Sequence, residues 1–126
     1  MATQPTTPSR CVLVVDDDPR ARYALASLLR AGGFPADTAA DGREALCYLR
    51  NHAEPLAVLL DLRMPVMDGW RFCEEVRSDP RLAAVPVVVC SGYAGLHGEA
   101  AVLNVRAAFP KPIDADALLG TLRGLR

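Results

Sequence analysis

Four short segments of the chain carry side chains whose chemistry depends on their being brought together. Three consecutive aspartates, Asp16–Asp18, end one apolar stretch, and Asp61, Ser91 and Lys111 end three others. Carboxylates that lie close together repel one another and lose hydration, so they need a cation or a proton. Several oxygen ligands without His or Cys suit a hard cation, and a small site that keeps waters suits Mg²⁺. An aspartate can also form a covalent acyl phosphate, a reaction that depends on positioning and on neutralising charge.

The elements that would hold these segments alternate along the chain. Short apolar or weaker extended runs predict five strands, at residues 11–15, 35–39, 56–60, 85–90 and 107–110. Helical periodicity and capping residues predict five helices. The first follows the N-cap Asp18, the second covers 42–51 and the third 69–77. The fourth follows Gly92, and the fifth covers 114–125. The helix after Gly92 is the least well specified, because Gly95 and Gly98 interrupt it.

Strands that alternate with helices predict a parallel sheet with helices on both faces. In such a sheet the ligand site lies outside the carboxyl ends of the strands, at the topological switch point. Asp16 and Asp17 would end the first strand, Asp61 the third, Ser91 the fourth and Lys111 the fifth. The alternative is that these acids only cap helices and form turns, which leaves their convergence at one edge of the sheet without a packing reason.

Four segments, in order, resemble the signatures of bacterial response-regulator receiver domains. They are Val14–Asp18, Leu60–Gly69, Cys90–Gly92 and Pro110–Pro112, and the resemblance extends from about Arg10 to the end of the chain. It implies a flavodoxin-like, doubly wound (βα)5 fold, whose five parallel strands have the order 2-1-3-4-5. Residues 1–9, rich in Thr and Pro, are expected to form a disordered tail, and residues 10–126 the receiver domain.

The resemblance also implies a role for each acidic position. Asp61 would be the phospho-acceptor and therefore the site of modification. Asp16 and Asp17 would bind Mg²⁺ together with Asp61 and the backbone carbonyl of Arg63. The protein would then be a signalling switch rather than an enzyme, and it would catalyse only its own phosphorylation and dephosphorylation.

The remaining strand ends would contact the phosphoryl group. Ser91 would donate a hydrogen bond to it, and Gly92 would leave space beside it. Lys111, the single lysine among 14 basic residues, would pair with the phosphoryl oxygens, or with Asp61 beforehand. The resemblance favours a cis peptide bond between Lys111 and Pro112.

One position departs from the family pattern. The family usually has Tyr or Phe three residues before the lysine, where this chain has Ala108. Phe109 should point to the opposite face of its strand, into the core, so the usual aromatic switch is in doubt. Tyr93 could replace it as a gate or be an exposed loop aromatic. Arg63 and Tyr93 could also shield the acyl phosphate from water.

Composition and charge restrict the partners. The net charge of −1 gives no electrostatic signature of a nucleic-acid or membrane-surface protein. No apolar run approaches the roughly 20 residues of a membrane span, and no signal peptide is evident, so a cytoplasmic protein is expected. The expected partners are a sensor histidine kinase or histidine phosphotransfer protein and a downstream protein target. Because no output domain follows in this sequence, an adaptor or phosphorelay shuttle is expected.

Two other functions remain open from the sequence. A degenerate receiver would bind partners without phosphorylation, a reading to which Ala108 lends weight. A haloacid-dehalogenase-type phosphatase would use Asp16 and Asp18 as its Asp-x-Asp pair, but Arg20 stands where that family has Thr or Val. His52 and His97 are predicted to lie at the surface. The four cysteines are predicted to pack as small hydrophobic side chains: Cys11, Cys47, Cys73 and Cys90.

Overall fold

Strands and helices alternate through the residues that the computed structural model describes, which are 10–62, 66–92 and 105–126. The strands are β1 Val12–Val15, β2 Ala36–Ala39, β3 Ala57–Leu60, β4 Val87–Ser91 and β5 Ala107–Pro110. The helices are α1 Pro19–Ala31, α2 Gly42–Asn51, α3 Gly69–Ser78 and α4 Ala115–Arg123. The helix predicted after Gly92 lies outside the described residues. None of the described helices is long and apolar enough to cross a membrane.

The five strands form one sheet in the order β2-β1-β3-β4-β5, and every pairing is parallel. Val15, the last residue of β1, pairs with Ala39 of β2 on one side and with Leu60 of β3 on the other. The chain therefore leaves β1 in one direction and returns on its other side, which makes the carboxyl end of β1 the topological switch point. The predicted fold and strand order are confirmed.

The core lies on both faces of the interior strands β1, β3 and β4. All eight residues of β1 and β3 are buried. Leu13 and Leu60 belong to the apolar cluster that includes residues of α2 and α3, whereas Val14 and Leu59 belong to the cluster that includes residues of α1 and α4. Full burial of such a side chain contributes roughly 1.5–3 kcal/mol, so continuous apolar runs are the sequences that a sheet covered on both faces requires.

Every described helix begins at an aspartate. The carboxylate of Asp18 accepts a hydrogen bond from the backbone N–H of Arg20, and Asp68 does the same for Arg71. Asp41 and Asp114 cap α2 and α4 in the same way. A cap of this kind stabilises by about 1 kcal/mol. These four aspartates therefore have structural roles.

Most boundaries agree with the predicted ones to within two residues. The fourth strand begins at Val87 rather than at residue 85, because Pro86 has no N–H to offer a ladder hydrogen bond. The last helix ends at Arg123, two residues earlier than predicted, and Gly124 follows it as the C-cap.

Gly69 lets the start of α3 pack directly against the end of β3. Its N–H donates a hydrogen bond to the carbonyl of Leu62 at 2.9 Å. A Cβ at Gly69 would lie 2.7 Å from the Cα of Leu62 and 3.0 Å from the carbonyl oxygen of Asp61. Both are backbone atoms, which cannot move aside without shifting Asp61.

We predict that Gly69→Ala destabilises the fold by about 1–3 kcal/mol, because the added methyl overlaps backbone atoms. The matched control is Gly120→Ala within α4, where a Cβ would meet nothing within 4 Å. That variant should be more stable than wild type by about 0.5–1 kcal/mol, because alanine loses less conformational freedom in a helix. Urea unfolding of both variants measures the difference, and equal effects of the two substitutions would contradict the packing argument.

Candidate functional site

Asp16 is the first residue after β1, with 2% exposure, and it is the one buried polar or charged residue among those whose burial the structure describes. Its N–H donates to the carbonyl of Ala39 and so extends the ladder by one residue. One carboxylate oxygen accepts from the N–H of Asp18 at 3.0 Å. The other accepts from the ammonium of Lys111 at 2.8 Å. The protein therefore stabilises this buried charge with a cation and a backbone donor.

Asp61 and Asp17 complete an acidic cluster at the same edge of the sheet. Asp61 follows β3, and its N–H bonds to the carbonyl of Val15 at 2.9 Å. One carboxylate oxygen each from Asp16, Asp17 and Asp61 lie within 4.8 Å of one another. Asp16 is buried, Asp61 is half-buried and Asp17 is exposed. The cluster is thus held from below by β1 and β3 and is open to solvent at Asp17.

Lys111 connects the far end of the chain to this cluster. Its ammonium lies 2.8 Å from Asp16 Oδ2 and 3.7 Å from Asp61 Oδ2, and its side chain is 31% exposed. The peptide bond to Pro112 is cis, as the resemblance favoured. The prediction paired Lys111 with Asp61, whereas the structure places it against both aspartates and closer to Asp16.

The pKa of Lys111 reflects two opposing effects. Burial lowers the pKa of this ammonium, whereas the hydrogen bond to Asp16 and the charges of Asp61 and Asp16 raise it, and the net pKa is above its usual 10.5. A raised pKa in the folded state means that protonated Lys111 stabilises the fold below the pKa of the unfolded chain. That stabilisation is lost as the pH rises through the folded value.

The donor chemistry of the cluster fits a hard divalent cation. Three carboxylates and one ammonium leave an excess of two negative charges, which one divalent ion would neutralise. Oxygen-only ligands with an open, hydrated side are the arrangement that Mg²⁺ takes in proteins. Asp16, Asp17 and Asp61 would hold such an ion. The carbonyl of Arg63, the fourth predicted ligand, lies outside the described residues.

Ser91 and Gly92, which are predicted to face the phosphoryl group, lie at the end of the described range 66–92. The backbone of Ser91 ends β4 and pairs with Pro110, but the role predicted for its hydroxyl lies outside what the structure describes. A Cβ at Gly92 would meet nothing within 4 Å among the described atoms. Tyr93 and His97 also lie outside the described ranges.

The fifth strand confirms the expected placement of Phe109. Ala108 packs against the cluster that includes α2 and α3, whereas Phe109 packs against the cluster that includes α1 and α4. The ring of Phe109 therefore lies on the face opposite Ala108 and cannot take the place of an aromatic side chain there.

The histidine and cysteine predictions are only partly correct. His52 is exposed, as predicted, and stacks on Tyr48.

Cys73 and Cys90 are buried, as predicted, and burial raises the pKa of their thiols to about 11 and about 12. The packing prediction is wrong for Cys47, which is exposed, and for Cys11, whose half-buried sulfur lies 3.0 Å from the hydroxyl of Tyr48. Cys47 lies on α2 and Cys11 just before β1, and their sulfurs contact the amide of Asn51 and the hydroxyl of Tyr48.

The sequence reasoning missed one contact of the site. Helical periodicity assigns Arg22 to the polar face of α1, yet its guanidinium donates a hydrogen bond to the backbone carbonyl of Asp16 at 2.9 Å. No pattern in the sequence marks a bond from a side chain to a carbonyl six residues earlier. The helical position of Arg22 and its nearness to the first turn were the only available signals.

Comparison with known proteins identifies the class that this fold and site define. The family model for the response regulator receiver domain matches residues 12–123. The response regulator Rre1 of Synechocystis is 35% identical over 117 residues, covering 90% of this chain and 50% of that protein. Protein Rrf1 of Nitratidesulfovibrio vulgaris is 38% identical over 108 residues, covering 86% of this chain and 76% of that protein. A receiver protein from Pseudomonas putida has a TM-score of 0.86 at 30% identity, with 94% and 99% of the two chains covered.

The chain belongs to the response-regulator receiver domain family of bacterial two-component systems. Receiver domains are signalling switches that interact with histidine kinases or phosphotransfer proteins and with downstream targets. The family binds Mg²⁺ at an acidic pocket, and this chain has a cluster of three aspartates, Asp16, Asp17 and Asp61. Family membership favours the switch over the phosphatase interpretation, and Asp18, the second acid of the Asp-x-Asp pair in that interpretation, is a helix cap. The chain spans half the length of the Synechocystis relative.

We predict that Lys111 titrates above 10.5 in the wild-type protein. Since the chain has one lysine, protein labelled with carbon-13 at the lysine ε position gives a single NMR signal whose titration reports this pKa directly. Asp16→Asn should lower the midpoint, because it removes a charge and weakens the hydrogen bond. Asp41→Asn, which keeps the cap of α2, should leave the midpoint unchanged. A wild-type midpoint at or below the usual 10.5 would show that burial outweighs the pairing.

Proposed function

We propose that the protein accepts a phosphoryl group on Asp61 from a phosphohistidine donor and signals this state to a partner protein. The observation that carries the proposal is the convergence of Asp16, Asp17, Asp61 and Lys111 at one sheet edge of a receiver-family chain. In that cluster Asp61 is the half-buried acid, with its side chain 13% exposed and its Oδ2 3.7 Å from the ammonium of Lys111. Its carboxylate is therefore both accessible and close to positive charge.

The chemistry would be an in-line displacement at phosphorus. A carboxylate oxygen of Asp61 attacks the phosphoryl group, the P–N bond to the donor imidazole breaks, and the P–O bond of an acyl phosphate forms. Bound Mg²⁺, held by Asp16, Asp17, Asp61 and the Arg63 carbonyl, would neutralise charge on the transferred oxygens. Lys111 supplies a compact positive charge beside Asp61. Ser91 would donate a hydrogen bond to a phosphoryl oxygen.

We predict that wild-type protein incubated with acetyl phosphate and Mg²⁺ gains the mass of one phosphoryl group, and that Asp61→Asn does not. Intact-mass spectrometry measures the gain. The matched control is Asp68→Asn, an aspartate that caps α3 and lies outside the acidic cluster, and this variant should be phosphorylated like wild type. Absence of any gain in the wild type, with small donors and with kinases, would favour the alternative of a degenerate receiver that acts without phosphorylation.

A groove beside the cluster supports the proposed phosphodonor partner. It has a volume of about 240 Å³, lies between α1 and the segment after β5, and reaches Asp16 and Lys111. Its remaining lining is apolar: Ala21, Ala24, Leu25, Leu28, Pro112 and Ile113. A helix of a kinase or phosphotransfer domain could lay an apolar face in this groove. Its phosphohistidine would then lie beside the acidic cluster.

We predict that Ile113→Arg slows phosphoryl transfer from a protein donor at least tenfold without changing phosphorylation by acetyl phosphate. The charged side chain would block the apolar groove but leave the acids in place. The donor is the fastest kinase in a panel of purified, autophosphorylated histidine kinases. Ala84→Arg, at an exposed position between α3 and β4, serves as control and should transfer normally. Equal slowing with the kinase and with acetyl phosphate would show that the substitution damages the site itself.

The proposal includes an atypical readout. We expect phosphorylation to change the surface formed by the helix predicted after Gly92, by β5 and by α4. In this chain Ala108 provides no aromatic ring to couple Asp61 to that surface. The half-buried methyl of Ala108 packs against the cluster that includes α2 and α3. A protein partner would read the phosphorylated state, as in an adaptor or phosphorelay shuttle in the cytoplasm.

A further inference from the structure

Arg22 reaches back from α1 to the loop after β1, which carries two of the three acids of the cluster, Asp16 and Asp17. Its backbone N–H makes the first hydrogen bond of the helix, to the carbonyl of Asp18 at 2.9 Å. Its half-buried side chain folds over this first turn, and Nη1 donates to the carbonyl of Asp16 at 2.9 Å. The guanidinium therefore contacts the backbone of the site rather than one of its carboxylates.

The carbonyl of Asp16 belongs to the peptide plane that joins Asp16 to Asp17. The N–H and both carboxylate oxygens of Asp16 have their own partners, namely Ala39, Asp18 and Lys111. The bond from Arg22 restrains the remaining polar atom of this residue. The orientation of this plane decides where the Asp17 carboxylate points. Because Asp17 is exposed, packing does little to orient it, and the backbone has to do so.

We propose that Arg22 is a positioning residue of the Mg²⁺ site, which orients Asp17 by fixing the Asp16–Asp17 peptide plane. The inference rests on the proposed function, because it assumes that the acidic cluster binds Mg²⁺. In this proposal Arg22, on the polar face of α1, contributes to metal binding without contacting the metal.

The direction in which the Mg²⁺ affinity changes when the guanidinium is removed distinguishes a positioning role from a purely electrostatic one. A positive charge beside a cation site repels the cation, so removing the charge alone would tighten Mg²⁺ binding. Losing the restraint on Asp17 would weaken binding. Groups that orient metal ligands typically contribute 10- to 100-fold to affinity. We therefore expect about tenfold weaker Mg²⁺ binding on removal of the guanidinium, because Asp17 is one of several ligands.

The test compares Arg22→Met, which keeps an unbranched apolar stem but no donors, with Arg20→Met. Arg20 is exposed and lies two residues earlier on the same helix. Isothermal titration calorimetry with Mg²⁺ should show about tenfold weaker binding for Arg22→Met and no weakening for Arg20→Met. In metal-free protein, amide hydrogen exchange at Asp17 should be faster in Arg22→Met. Saturating Mg²⁺ should restore the wild-type rate of phosphorylation by acetyl phosphate.

The outcomes are distinguishable. If Arg22→Met, or Arg22→Ala should the methionine variant not fold, binds Mg²⁺ as tightly as wild type or more tightly, the positioning role is overturned and the proposed function stands. A phosphorylation rate that stays low at saturating Mg²⁺ would also overturn it, because a positioning role predicts recovery. If wild-type protein does not bind Mg²⁺, the metal site of the proposed function fails, and this inference fails with it.

Discussion

The structure depends on one electrostatic constraint, which is that Asp16 is charged, buried and within reach of two other carboxylates. A buried carboxylate is costly unless it is paired and hydrogen-bonded. The compensating cation comes from Lys111, 95 residues away in the sequence. Only a sheet in which β1, β3 and β5 run parallel brings these residues to one edge. The site therefore depends on the parallel sheet, because the sheet brings together the carboxylates and the ammonium of Lys111 that compensates them.

The aspartates of the chain divide into two groups. Those that precede helices accept a hydrogen bond from the first turn, as Asp18 and Asp68 do. Those that follow strands, Asp16 and Asp61, project from the end of the sheet. The sequence predicts this division, because a capping aspartate is followed by helical periodicity and a strand-end aspartate is preceded by a continuous apolar run. The alternation of strands and helices and the composition of the acidic cluster were predictable from such patterns, whereas the strand order was implied by the family resemblance.

Other features could not be predicted, because they depend on distances that only the folded chain sets. The ammonium of Lys111 lies 2.8 Å from Asp16 Oδ2 and 3.7 Å from Asp61 Oδ2, and this difference of about one ångström decides which aspartate it pairs with more strongly. The bond from Arg22 to a backbone carbonyl leaves no periodic trace in the sequence. Cys47 is exposed on α2 beside the buried Leu46, so local hydrophobicity is a poor guide to the burial of a single helical side chain.

The contact between Lys111 and Asp16 has a thermodynamic consequence for the proposed site. The ammonium is bonded to a carboxylate that is also a candidate metal ligand. Metal binding through the Asp16 oxygen that holds Lys111 would then be an ion exchange rather than an addition, and its free energy would be reduced by that of the pair it breaks. Because the pKa of Lys111 is raised, this exchange would release no proton from it at neutral pH. Lys111 also lies 3.7 Å from Asp61 Oδ2, so an ammonium released from Asp16 would be available to neutralise an arriving phosphoryl group.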